Sequence, residues 1–427
     1  MSAPTDTSRN HTPDAVICQN CGAPLTRTLV DLGLSPLANS YVRLPLDKDA
    51  PPDPVYPLHA RVCDRCLLVQ VESVVPASDI FSEYAYFSSY SDSWLAHVAA
   101  YAELVITRFG LNDSSLVMEI ASNDGYLLQN FVRRGIPCLG IEPAANVAAV
   151  ARKRGVPTLV KFFGRALAER LAAEGKHPAL VASKNVLAHV PDINDFVAGV
   201  SVLLTGNAVY TVEFPHLLSL IEQVQFDTIY HEHYTYLSLL AVERIFDRHG
   251  LRVFDVEEIP THGGSLRVFA CRKEATMAIG AGVATVREKE LRARLDRPEG
   301  YAGFEDRVRK VRDELLAYLH EAKRQGKRVA AYGAAAKGNT LLNYCAVGPE
   351  LIRYVVDRNP MKQNTALPGS RIPVYPVETL SEDPVDDILI LPWNLRDEIT
   401  AQLEPYRRKG CRIVTAIPRI NIVEALP

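Results

Sequence analysis

Tyr230-His231-Glu232-His233-Tyr234 gathers two imidazoles, a carboxylate and two phenols within five residues, so a base, a group to orient it and hydrogen-bond donors occur side by side. An extended backbone would send His231 and His233 to one face and Tyr230, Glu232 and Tyr234 to the other. A turn would let all five converge on a pocket, and functional side chains concentrate on such segments. The plain alternative is a polar loop with two solvated histidines. Taken alone, the cluster names no reaction.

A second reactive set is the pair of knuckles Cys18-x-x-Cys21 and Cys63-x-x-Cys66. Each can present two thiolates at tetrahedral angles, as in a closed structural zinc site. Gly22 after Cys21 suits a tight turn around a metal. Disulfides and redox or iron chemistry are the alternatives. Met1 to Ala15 is polar and lacks the apolar core of a secretion signal, so a reducing cytoplasm is expected, where disulfides are rare. The segment between the knuckles is rich in proline, including Pro51, Pro52, Pro54 and Pro57, and predicts strands and loops around the site. Cys138, Cys271, Cys345 and Cys411 stand alone in apolar contexts and read as packed core residues.

These groups need a frame. A buried strand at 116–120 runs into Ala121-Ser122-Asn123-Asp124-Gly125, and a helical pattern follows from Tyr126 to Arg134. A second strand, Cys138 to Ile141, ends at Glu142. In a doubly wound sheet this places the turn against a nucleoside and the acid within reach of ribose hydroxyls. The full G-x-G-x-x-G is absent, and an acidic loop suits a pyrophosphate poorly. That favours S-adenosylmethionine, with its cationic sulfonium and amino groups, over NAD. Strands at 179–183 and 208–214, with a helix from Asp192 to Leu204 between them, continue the alternation, so Asn185, His189 and Glu213 can border the same cleft. Thr261-His262-Gly263-Gly264 between two extended runs reads first as a hairpin turn.

The last third opens with charged helical stretches and then repeats the strand, turn and helix: a strand at 327–332, a glycine-lysine turn from Gly333 to Gly338, and a second strand ending at Asp357. Ala335 occupies the middle-glycine position and would crowd a dinucleotide pyrophosphate.

Composition sets the outer bounds. A chain of 427 residues, 48% hydrophobic and 23% charged, predicts two or three globular domains. The net charge of -3 without a Lys/Arg-dense tract disfavours nucleic acid and anionic membrane as partners and favours a small molecule. No apolar run of about eighteen residues predicts a membrane span, and no obligate protein partner is evident.

The chain resembles the sugar-nucleotide C-methyltransferases of deoxysugar pathways, the group that includes the tetronitrose C-3 enzyme. The resemblance covers nearly the whole length and rests on the paired knuckles, on 84–91 (YAYFSSYS), 119–126 (EIASNDGY), 185–189 (NVLAH), 230–234 (YHEHY), 262–265 (HGGS) and 332–339 (YGAAAKGN). It implies an α/β fold with an amino-terminal zinc-binding domain (1–80), a central class I methyltransferase Rossmann-like domain (81–275) and a carboxyl-terminal second Rossmann-like domain that binds the sugar nucleotide (276–427). By resemblance, His233 is the base, with Glu232, Tyr230 and Tyr84 around it and Tyr86 a substitute for Tyr84. Glu119, Ala121, Asn123, Gly125, Tyr126, Glu142 and Asn185 surround S-adenosylmethionine. Tyr86, His189, His231, His262, Lys337 and Asn339 contact the sugar nucleotide, and Cys18, Cys21, Cys63 and Cys66 bind one structural zinc.

The implied reaction is methylation of a carbon, C3 or C5, next to the keto group of a dTDP-type 4-keto-deoxysugar, in deoxysugar or antibiotic biosynthesis. The ketone acidifies that C–H, an imidazole removes the proton, and the enolate takes the methyl group. Tyr84, Tyr230 and His189 are candidate donors to the C4 oxygen. Without the resemblance, the second fingerprint around Gly333 supports an NAD-dependent sugar-nucleotide oxidoreductase instead. A zinc-bearing binding module with degenerate Rossmann folds is a third reading, which intact Glu119 and His233 disfavour.

Overall fold

The computed structural model describes residues 16–47, 51–76, 89 and 92–426. Its central sheet contains β1 (Val117–Ile120), β2 (Cys138–Ile141), β3 (Thr158–Leu159), β4 (Leu180–Lys184), β5 (Val209–Pro215), β6 (Leu251–Ile259) and β7 (Ser265–Arg272), in the order β6-β7-β5-β4-β1-β2-β3. Strands β1 to β5 are parallel, and β7 lies antiparallel between β5 and β6. β1 and β4 are buried along their whole length, as a parallel sheet covered on both faces requires. Strand order reverses between β1 and β4, which opens a crevice outside their carboxyl ends. The expected helix after β4 is present: Asp192 caps Ile193–Leu203 by accepting from the Asp195 N–H.

Two further sheets, of four and eight strands, flank the central one, and each borrows a strand that composition does not reveal. In the amino-terminal sheet, Arg27–Pro36, Val55–Val62 and Val69–Gln70 are joined by Thr235–Tyr236, the two residues that follow the Tyr-His-Glu-His-Tyr segment. The carboxyl-terminal sheet is built on parallel strands Val329–Tyr332, Val355–Val356, Pro373–Tyr375, Asp387–Ile390 and Arg412–Thr415. Beyond Thr365–Ala366, Val42–Arg43 from the amino-terminal segment closes its edge. One continuous core therefore joins Leu29, Val30 and Leu58 to Phe226, Ile229 and Tyr236, and these to Leu315, Leu341 and Leu389.

The double-glycine hairpin appears as a 3-10 turn, Thr261–Gly263, between β6 and β7, with Gly263 at φ +87° and Gly264 at +111°. Helix Ala281–Arg292 packs Val283 and Val286 into the core of the central sheet, so packing of the central unit continues past residue 275. Among the described residues, no helix is long and apolar enough to cross a membrane.

Candidate active site

The Tyr-His-Glu-His-Tyr segment is a turn, but its side chains do not all converge. Two go one way. His233 Nδ1 lies 2.9 Å from the Thr228 carbonyl, which can only accept, so Nδ1 carries the proton. Nε2 is then the lone-pair nitrogen, and the Tyr230 hydroxyl donates to it at 2.8 Å. The rings of His189 and His233 meet edge to face at 4.6 Å, and His189 Nδ1 donates to the Glu232 carbonyl at 2.7 Å.

His231 and Glu232 turn toward the amino-terminal unit. His231 Nε2 donates to the Pro57 carbonyl at 3.2 Å. Glu232 Oε1 accepts from Asn39 Nδ2 at 2.7 Å. The sequence left open whether Glu232 orients an imidazole; in the structure the Thr228 carbonyl does so, and Glu232 joins two units. Tyr84 and Tyr86 lie outside the described residues.

The crevice beside β1 is lined by residues in unusual backbone conformations: Ala121, Asn123 and Asn185 have φ of 56°, 48° and 55°. Glu142 Oε2 accepts from the Asn123 N–H at 2.9 Å and Oε1 from the Ala144 N–H at 2.8 Å, so this acid already organises the loop. Glu119 is fully buried, and neither of its carboxylate oxygens meets a donor. Burial pushes its carboxyl well above the usual range, against the opposing influence of Tyr126 and Lys184. Ser122 Oγ, Asp124 Oδ1 and Asn185 Oδ1 are also buried without hydrogen-bond partners. Gly125, at φ +79°, completes the loop. Unmet acceptors of this kind fit a ligand rich in donors and positive charge, not a pyrophosphate.

Across the cleft, Asn185 Nδ2 donates to His262 Nε2 at 2.9 Å. Both tryptophans of the chain border this loop: Trp94 packs edge-on to His262 at 5.5 Å, and a Cβ on Gly263 would collide with the Trp393 ring. Lys337 lies over Trp393, with Nζ 4.7 Å from the ring centroid and 2.7 Å from Asn394 Oδ1. Asn339 is buried in helix Ala336–Tyr344, where its Oδ1 accepts from Asn343.

The electrostatics are one-sided. Burial lowers His189 and His262 to about 4 and His233 well below its ordinary value, with His189, Lys337 and His262 adding to the shift at His233. Burial also lowers Lys337, opposed by Asp227. Clustered groups that resist positive charge in a closed cleft would regain it beside an anion.

One network escaped the sequence analysis. Lys184 and Glu213 are register partners at the ends of β4 and β5, and Glu213 Oε1 accepts from Lys184 Nζ at 2.5 Å and Arg267 Nε at 2.6 Å, while its Oε2 lies 2.9 Å from His97 Nε2. Burial alone would raise the Glu213 carboxyl, but these cations hold it well below the ordinary range. A lysine and an acid at the ends of adjacent predicted strands were its sequence signal.

The thiolate set is compact. Sγ atoms of Cys18, Cys21, Cys63 and Cys66 lie within 4.8 Å of one another, with Cys18–Cys66 and Cys21–Cys63 at 3.5 Å. A tetrahedron with Zn–S bonds of about 2.3 Å has edges of about 3.8 Å, so the four sulfurs fit zinc.

Three family models match stretches of the chain. Residues 18–81 match a zinc binding domain family, 94–256 a methyltransferase domain family, and 260–418 the C-methyltransferase C-terminal domain family. C-methyltransferase NovU of Streptomyces niveus is 35% identical over 408 residues, spanning 96% of this chain and 97% of that protein. Among solved structures, the PH0226 protein of Pyrococcus horikoshii OT3 is 14% identical over 46% of this chain and 98% of its own, with a TM-score of 0.37. Magnesium protoporphyrin IX methyltransferase of Synechocystis PCC 6803, crystallised with bound SAM, is 12% identical over 42% of this chain and 79% of its own, with a TM-score of 0.33. Scores of this size assign no fold by themselves.

Proposed function

The chain belongs to the C-methyltransferase family, and we propose that it methylates a carbon, C3 or C5, adjacent to the keto group of a nucleotide-linked 4-keto-deoxysugar, with S-adenosylmethionine as donor. The observation that carries this reading is the fixed tautomer of His233: its lone pair at Nε2 faces the cleft group Tyr230, while Nδ1 is anchored on Thr228.

The C–H bond next to the ketone breaks, its proton goes to His233 Nε2, and the electron pair becomes an enolate with charge on the C4 oxygen. Tyr230 then loses its acceptor as Nε2 is protonated, and its hydroxyl is released to donate to that oxygen; one such donor is worth about 2.7–4 kcal/mol in studied oxyanion sites. His189, neutral and with its one N–H at Nδ1 committed to the Glu232 carbonyl, is not a second donor to that oxygen. When bound, S-adenosylmethionine supplies an electrophilic methyl on a sulfonium. The Ala121–Gly125 loop, Glu119, Tyr126, Glu142 and Asn185 would hold it, the unmet acceptors of Glu119, Asp124 and Asn185 matching its cationic groups.

The nucleotide diphosphate belongs against Lys337 and the amino-terminal turn of helix Ala336–Tyr344. Its charge offsets the burial that depresses Lys337, His262 and His233, so substrate binding strengthens the base. Asn339 supports that turn. The knuckle cysteines hold zinc structurally, as thiolates kept reduced in the cytoplasm, and the product enters deoxysugar-containing natural products.

Incubation with methyl-labelled S-adenosylmethionine and a panel of dTDP-4-keto-deoxysugars tests the reading. Label on a ring carbon is expected. Label only on oxygen, or a change in nicotinamide absorbance with the same sugars, contradicts it.

A further inference from the structure

Two adjacent residues in the 3-10 turn Phe226–Thr228 are held by the carboxyl-terminal domain. The fully buried Phe226 ring packs edge-on to Tyr344 at 5.3 Å. Asp227, also fully buried, accepts from Trp393 Nε1 at 2.7 Å through Oδ2. The next residue, Thr228, supplies the carbonyl that fixes His233 Nδ1. The Trp393 ring packs so closely on Gly263 that a Cβ there would collide with it.

We propose that Trp393 and Asp227 are positioning residues for the base: the indole N–H holds Asp227, and Asp227 holds the Thr228 carbonyl in line with His233 Nδ1. The carboxyl-terminal domain, which neither donates the methyl group nor accepts the proton, thereby sets the geometry of proton abstraction. This rests on the reading of His233 as the base. Burial raises the Asp227 carboxyl to about 6 against the opposing influence of Lys337, the Trp393 indole and the Asp227 and Thr228 amides, so the carboxyl is tied both to the indole and to the backbone of Thr228.

Trp393→Phe keeps a ring against Gly263 and under Lys337 but deletes the donor. Asp227→Asn keeps an oxygen that can accept from the indole; Asp227→Val does not. In the full chain, with the accepted dTDP-4-keto-deoxysugar, Trp393→Phe and Asp227→Val are expected to lower kcat about 10- to 100-fold, the scale of a misplaced catalytic group, and in Trp393→Phe KM and dTDP affinity stay within about twofold. Asp227→Asn should retain most of kcat. Parental kcat in Trp393→Phe overturns the proposal, as does a loss confined to KM or an equal loss in Asp227→Asn. If Asp227→Val fails to fold, the contrast between Trp393→Phe and Asp227→Asn decides. His233→Asn, measured alongside, separates the two readings: parental turnover there removes the base assignment, whereas an inactive His233→Asn beside a parental Trp393→Phe removes only the positioning role.

Discussion

Tyr230 Oη lies 2.8 Å from His233 Nε2, and the Thr228 carbonyl on the opposite nitrogen makes Tyr230 the donor in that contact. The phenol marks where a proton can be accepted, and it becomes available to an oxyanion once Nε2 is occupied. Tyr230→Phe should therefore lower kcat by about 10²-fold, one oxyanion donor's share, while His233 still exchanges substrate protons. A rise in KM alone, with kcat unchanged, would show that Tyr230 only binds.

Because His233 must be neutral to act, activity is lost as pH falls through its folded pKa. That pKa lies well below 6.5, so kcat/KM, which reports the free enzyme, should stay level as pH drops from 8 through 6.5 and decline only under more acid conditions. An acid limb centred at or above 6.5 contradicts the depression. The sequence showed the imidazole but not its environment: burial among His189, His262 and Lys337 is a product of three separate chain segments meeting.

What was legible follows the same division. Cysteine spacing, buried strand runs and acids at strand ends are local signals, and Cys138–Ile141 and Leu180–Lys184 fall where those signals placed them, to within one residue. Pairing of Thr235–Tyr236 with Val69–Gln70, and of Val42–Arg43 with Thr365–Ala366, joins residues far apart in the chain with no periodicity to announce it. For the same reason Glu232 could not be assigned to Asn39, nor Asp227 to Trp393, before the structure.

Glu142 holds the loop through the Asn123 and Ala144 amides in addition to its proposed ribose contact. Glu142→Ala should weaken S-adenosylhomocysteine binding strongly and leave dTDP binding unchanged in titration calorimetry. Equal S-adenosylhomocysteine affinity in variant and parent would refute the assignment.

One zinc per chain is expected by metal analysis of protein purified without chelator. Structural zinc contributes roughly 10–16 kcal/mol of apparent binding energy in small peptides, so Cys18→Ser should unfold the amino-terminal sheet. Activity should fall with it, since Thr235–Tyr236 in that sheet anchors the end of the catalytic turn. A metal ratio near zero in active protein contradicts the site.

The central claim, that His233 generates the enolate, is tested most directly by solvent deuterium exchange at the carbon next to the substrate ketone, with S-adenosylhomocysteine bound so that methylation cannot occur. General bases contribute about 10²–10⁴ in rate, so His233→Asn should slow wash-in by that order with both ligands still bound, while His231→Asn, which removes a contact to Pro57, should cost less. Deuterium entering His233→Asn at the parental rate would contradict the account and move the search for the base to Tyr84.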